Sequence, residues 1–235
     1  MIVGTYNDDP YFSYLNPKTY QLQGFDIDLA HAITHEMLGD KSKVEFIIIN
    51  ASNRISYLQE RKVDLILAEM TINKERQQLV DFSDIYYMAG QSLLVKNDQP
   101  FHSLNDLENK NIGVISDSTN VDSVKHALPK AEIHLFNSLS SGFQALAQDQ
   151  IQALCIDDVL LFALKGEDNN YIEGYRFVGG EISWEPYGIA VKRGCKDLLR
   201  NVNKILQKIK DDGRWQQIYD KNIKQVSNIS ARPPS

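Results

Sequence analysis

Cysteine is nearly absent: 235 residues contain only Cys155 and Cys195. Two cysteines cannot make a disulfide framework, and two free thiols are expected, with a single bridge as the alternative. No apolar run is long enough to span a bilayer. No signal peptide precedes the opening strand, 2–6. Positive charge is in deficit, with 25 Lys and Arg against 31 Asp and Glu, a net charge of −6. Without a basic stripe, neither nucleic acid nor an acidic membrane surface is expected as a partner. The phosphate loop G-x-x-x-x-G-K, the dinucleotide turn G-x-G-x-x-G and the nucleophile elbow G-x-S-x-G are all missing. His31 and His35 share a helix spacing, but they read H-A-I-T-H-E rather than H-E-x-x-H, so they are expected at the surface. No cluster has metal-ligand spacing, and neither metal nor cofactor is expected. No internal repeat recurs at a fixed period.

What is present is a 43% apolar chain in which strands and helices alternate. After the first strand and the turn Asp8-Asp9-Pro10, the pattern predicts a hairpin over 11–23 and a helix over 27–38 stopped by Gly39. A strand over 43–50, a helix capped by Ser52 or Asn53, and an apolar strand over 63–68 follow. Residues 81–87 read as a loop dense in aromatics, and 91–96 as a strand leaving this unit. The second unit opens with a polar helical turn at 103–109. It continues with strands at 111–115, 132–136 and 152–156, and helices at 119–128, 139–149 and 158–165. A strand at 187–191 leads into an amphipathic helix with Leu198, Leu199, Val202, Ile205, Leu206 and Ile209 on its buried side. Asp211-Asp212-Gly213 breaks that helix, a further turn covers 215–219, and the tail 227–235 is expected to be disordered. The fold class is α/β, with two lobes of mostly parallel sheet flanked by helices.

The chain is organised around A-E-M-T-I-N-K-E-R at 68–76. There a buried strand delivers its carboxyl end into a short polar loop, with Asn73 as a natural cap. Ligands of open α/β sheets sit at such ends. Arg76 offers a planar fork for a carboxylate; read alone, it is more often an exposed helix Arg that pairs with Asp81 or with nothing.

Together, G-F-D-I-D-L-A (24–30), A-E-M-T-I-N-K-E-R (68–76), D-F-S-D-I-Y-Y (81–87), N-I-G-V (111–114) and Y-G-I-A-V (187–191) resemble the extracytoplasmic solute-binding proteins of polar amino-acid ABC transporters. The resemblance runs in order over nearly the whole chain. It implies the type II periplasmic-binding fold, a two-lobed clamshell with two hinge strands near 88–93 and 181–187. The outer lobe would be 1–91 plus 184–235, and the middle lobe 92–183. It further implies that Arg76 holds a ligand α-carboxylate and that Thr71 contacts the head group. Ser118 and Thr119 would supply amides at a helix start, where the dipole favours an anion. Asp157 would take the α-ammonium; read alone it is a helix cap.

Specificity falls on Asn50-Ala51-Ser52-Asn53-Arg54, which resembles the glutamate/aspartate branch, whose Arg pairs with the ligand side chain. Ala51 stands where many members have a stacking aromatic. Arg54 is otherwise a solvated residue or a partner of Glu69. Tyr6 stands where related binders can have a second cation. Glu69, if it faces the site, would neutralise Arg54 and move preference toward glutamine or a cation. Asp117 adds a negative charge. Tyr11, Phe12 and Tyr14 either floor the pocket or form core.

The expected ligand is a free polar L-amino acid, glutamate first, then aspartate or glutamine. It would be bound in the inter-lobe cleft by a monomer and delivered to a membrane permease. The expected location is extracytoplasmic, with the leader removed. Two alternatives stay open. One is the sensing domain of a larger receptor. The other is a cyclohexadienyl-dehydratase-like enzyme with Glu69 as its acid/base group.

Overall fold

The apolar run at 63–68 is buried at every position except Asp64, whose carboxylate instead accepts the Ile2 N–H at 2.8 Å. A strand buried on both faces needs cover on both sides, and the elements around it supply that cover. The computed structural model describes residues 1–9, 11–158, 174–224 and 234. In chain order the elements are β1 (Ile2–Thr5), β2 (Asp8–Asp9), β3 (Ser13–Leu15), β4 (Leu22–Gln23), α1 (Phe25–Leu38), β5 (Glu45–Ile48), α2 (Arg54–Gln59), β6 (Leu65–Ile66) and β7 (Val80–Lys96). They continue with β8 (Asn111–Ile115), α3 (Asn120–Ala127), β9 (Glu132–Phe136), α4 (Leu139–Ala147), β10 (Ala153–Asp157), β11 (Tyr175–Lys192), α5 (Lys196–Asp211) and α6 (Arg214–Tyr219). The chain divides into two units, Met1–Met88 with Pro186–Ser235, and Ala89–Glu185. The long strands β7 and β11 each run from one unit into the other.

In the first unit β5, β1 and β6 are parallel, with Val3 opposite Leu65 and Gly4 opposite Ile66. The end of β11 pairs antiparallel with β6 through Ala190 and Val191. A separate antiparallel sheet, β2-β3-β4, forms the expected hairpin region. Its core is aromatic: Phe12, Phe25, Tyr86, Tyr87, Tyr187, Trp215 and Tyr219 pack in edge and stacked pairs with centroids 5.0 to 6.5 Å apart. Phe12 is fully buried and belongs to this core, while Tyr11 and Tyr14 are half-buried. The Trp215 indole donates to the Tyr86 carbonyl at 2.7 Å, so burial of its one polar atom carries no desolvation debt.

In the second unit β10, β8 and β9 are parallel, and β7 pairs antiparallel with β10. Leu93, Val95, Ile112, Val114, Val124, Ala153 and Cys155 fill the core. Cys155 and Cys195 are free thiols, in different units.

Two expectations about local structure change. Residues 81–87 are not a loop but part of the 17-residue β7. Its two aspartates have distant partners: Asp81 accepts the Gly194 N–H, and the Asp84 N–H donates to Asn203 Oδ1. Likewise the strand at 187–191 starts at Tyr175, through Gly179, Gly180 and Pro186, residues that interrupt a strand pattern in sequence. The helix expected at 158–165, beyond Asp158, and the tail 227–235, apart from Pro234, lie outside the described residues.

Helix α1 depends on the glycine that precedes it. Gly24 has φ 131°, and a Cβ there would lie 2.4 Å from the Phe12 carbonyl oxygen. Gly39 ends the same helix at φ 71° in open space, its N–H on the His35 carbonyl. Gly39→Ala therefore meets only the left-handed penalty, about 1 kcal/mol, whereas Gly24→Ala adds a backbone clash and is expected to cost about 3 kcal/mol. Urea denaturation of the two variants checks this order; equal losses would refute it.

Candidate functional site

The carboxyl ends of β1 and β6 carry the chemistry of the first unit. Tyr6 follows β1, and its hydroxyl accepts from Arg54 Nη1 at 2.9 Å. The same Nη1 donates to the Ala68 carbonyl at 3.3 Å. Arg54 is only 3% exposed, and its Nε has no hydrogen-bond partner. Thus Arg54 is not a solvated helix residue: one end of its guanidinium is anchored by neutral oxygens, and the Nε edge is buried and unsatisfied. Burial pushes the Tyr6 phenol above its ordinary range; Arg54 pulls it down, Glu69 pushes it up, and Arg76 and Asp9 act more weakly in the same two senses. Tyr6 therefore sits among two cations and two carboxylates.

Glu69 is buried and takes a left-handed backbone, φ 47°, which is rare for a residue with a side chain. Its N–H donates to Asp26 Oδ2 at 3.2 Å. The Tyr86 hydroxyl donates to the same oxygen at 3.2 Å, and Asp26 Oδ1 has no partner. Burial raises the Asp26 carboxyl to about 7, against the opposing bonds from Tyr86 and Glu69. Asp26 was not singled out from sequence as a site residue. Its signal was an acid placed straight after Gly24-Phe25 at a helix start, where a cap is the ordinary explanation.

Thr71 is buried and bridges to Tyr187, flanked by bonds from Ile72 N–H to the Pro186 carbonyl and from Gly188 N–H to the Met70 carbonyl. Asn73 does cap the next turn, its Oδ1 accepting the Arg76 N–H at 2.8 Å. Arg76 is buried, and its Nη1 donates to the Thr71 carbonyl at 3.0 Å. The exposed Asn50 clamps its own loop: its Oδ1 accepts from Asn53 N–H and Ser52 Oγ, and its N–H donates to Asn53 Oδ1.

In the second unit Thr119 precedes α3, but its hydroxyl does not cap the helix. It donates to Glu185 Oε2 at 2.7 Å and accepts from Gln91 Nε2 at 2.9 Å. Ser118 uses its N–H on the Ile115 carbonyl, and its hydroxyl lies 2.7 Å from both that carbonyl and Asn120 Oδ1. It shapes the turn. Asp117, exposed, stands beside it at φ 58°. Asp157 ends β10, with Asn120 Nδ2 at 3.5 Å from its Oδ1. Burial drives the Cys155 thiol well above its usual range, with Asp157 and then Glu185 adding in the same sense and Asn120 opposing. Glu185, 3% exposed, and Gln91, 1% exposed, were not foreseen; in sequence they are ordinary polar residues of strands.

The first unit thus holds two buried guanidinium groups, Arg54 and Arg76, and the second a buried carboxylate, Glu185, with Asp157 half-buried at the end of β10. The family model of bacterial extracellular solute-binding proteins, family 3, matches residues 1–225, and the chain belongs to that family. It is 37% identical over 226 residues to the ABC transporter glutamine-binding protein GlnH of Bacillus subtilis, covering 96% of this chain and 81% of that protein. An ancestral arginine-binding protein bound to glutamine is 38% identical, with a TM-score of 0.85 over 94% of this chain and 96% of that one. The ancestral amino acid-binding protein AncCDT-1, a precursor of cyclohexadienyl dehydratase, is 33% identical with a TM-score of 0.84 over 95% of each chain. The fold is that of the type II periplasmic-binding proteins. Among the described residues no helix is long and apolar enough to cross a membrane.

Asp26 makes a pH prediction. An unfolded Asp titrates near 3.9, and the folded one at about 7. Between those values the folded state holds a proton that the unfolded state has lost, so this group makes stability fall as pH rises, by up to about 1.4 kcal/mol per pH unit. Asp26→Asn removes that slope. Denaturation at pH 5 and pH 8 should show the variant gaining on the wild type at the higher pH; parallel curves would refute it.

Proposed function

We propose that this protein binds one free L-amino acid with an amide or carboxylate side chain, glutamine ahead of glutamate, for an ABC permease. Binding would take place outside the cytoplasm, with the protein acting as a monomer. The carrying observation is Arg54. A buried guanidinium whose Nε edge lacks a partner is costly unless an acceptor meets it. A carboxamide or carboxylate oxygen on the ligand side chain supplies that acceptor. Two carboxylates, Glu69 and Asp9, offset the cations around Tyr6, and this balance favours a neutral amide over a second carboxylate.

In this reading Arg76 takes the α-carboxylate by charge-assisted bonds, oriented by the Thr71 carbonyl. Asp157 takes the α-ammonium, and Thr71 and Thr119 complete the head-group contacts. Ser118 and Asn50 act by shaping their loops, and Tyr6 by holding Arg54. Glu69 tunes charge and does no chemistry, so no reaction is assigned. The glutamine named for one relative and bound in another fits this ordering.

Titration calorimetry with glutamine, glutamate, aspartate and arginine tests the reading. Glutamine at about 100 times its Kd should add about 2.7 kcal/mol of stability. Arg76→Ala should weaken it roughly 30- to 5,000-fold, the cost of leaving a buried charge without its partner. Arginine binding tighter than glutamine, with Arg54→Ala leaving glutamine affinity unchanged, would overturn the side-chain assignment. No heat with any amino acid would overturn the function.

A further inference from the structure

Thr119 has one hydroxyl proton and two lone pairs. The proton goes to Glu185 Oε2 at 2.7 Å, and Gln91 Nε2 occupies one lone pair at 2.9 Å. Glu185 also accepts the Ser183 hydroxyl at 2.6 Å, and that hydroxyl lies 3.1 Å from Gln91 Oε1. Glu185 and Gln91 are both buried, so water competes poorly for these bonds. An ionised carboxylate can only accept; it therefore fixes the direction of the Thr119 proton and leaves that oxygen one lone pair to offer. Gln91 belongs to β7, and Ser183 and Glu185 to β11, so the network pins Thr119 to both strands that carry the chain from one unit to the other.

We propose that Glu185 is a positioning residue for ligand binding: by taking the Thr119 hydroxyl proton it makes that hydroxyl an acceptor toward the ligand, suited to an α-ammonium. The Thr119 hydroxyl, as distinct from the backbone N–H at the helix start, is thus assigned with Asp157 to the ammonium. Gln91 acts with Glu185 by closing the other side of the oxygen. The inference rests on the amino-acid reading above.

Glu185→Gln keeps the size but presents an amide donor to one of the two hydroxyls, so one of them must turn. With L-glutamine and L-glutamate as probes, Glu185→Gln should weaken binding about tenfold in the wild type and in Thr119→Ser. In Thr119→Val it should add no further loss. Additive losses would overturn the proposal, since Glu185 would then act otherwise than through Thr119. A second readout uses the analogue of glutamine that lacks the α-amino group. Glu185→Gln should narrow the wild-type preference for glutamine over it by about tenfold; an unaltered preference would overturn the proposal. Wild-type protein that binds neither probe refutes the amino-acid reading itself. Wild-type binding with an indifferent Glu185→Gln refutes this inference alone.

Discussion

The carboxyl of Asp26 joins three stretches of chain that are far apart in sequence. It receives the N–H of Glu69 and the hydroxyl of Tyr86, and it stands on the first turn of α1. Tyr86 in turn receives the indole of Trp215 on its carbonyl. Burying a carboxyl with one oxygen unpartnered is unfavourable, and burial raises its titration to about 7. What the arrangement secures is the left-handed turn at Glu69. That turn follows the apolar run 63–68 and leads the chain into Thr71 and Arg76. Without a fixed acceptor for the Glu69 N–H, a side-chain-bearing residue would leave this backbone conformation for a cheaper one.

Buried charges of opposite sign have neutral hydrogen-bond partners in the two units. Arg54 is anchored by a phenol and a backbone carbonyl, both neutral, so its positive charge is oriented without being cancelled at the contact. Glu185 is served by the hydroxyls of Thr119 and Ser183, again neutral groups. Neutral partners hold a charged group in place while leaving its field to act on a solute. Tyr6 itself packs against an aliphatic cluster that includes Ile49, Leu58, Val63 and Ile66.

The patterns that repeat locally were legible in the sequence. The apolar run at 63–68, the glycine stop at Gly39, the amphipathic face of α5 and the Asn73 cap each depend on residues a few positions apart, and each is present in the structure. Residues 81–87, read as a loop dense in aromatics, are strand, and two of their contacts are with Gly194 and Asn203, more than a hundred positions on. The same holds for the second long strand, whose glycines and proline mask its continuity.

For the site, residue type and position marked Arg76, and the resemblance carried by the order of motifs added Arg54, Thr71, Thr119 and Asp157 as candidates and named the class of solute. Motifs are legible in sequence because strand ends and the short loops after them are local objects. Sequence could not assign the hydrogen-bond sense of Thr119, the buried edge of Arg54 or the left-handed turn at Glu69. Each of those is set by a partner from a distant stretch: Glu185 and Gln91, Tyr6 and Ala68, Asp26. A hydroxyl or a guanidinium carries no direction of its own. Only the tertiary structure, by bringing a particular acceptor within 3 Å or so of it, decides which way it faces and what it has left to offer a ligand.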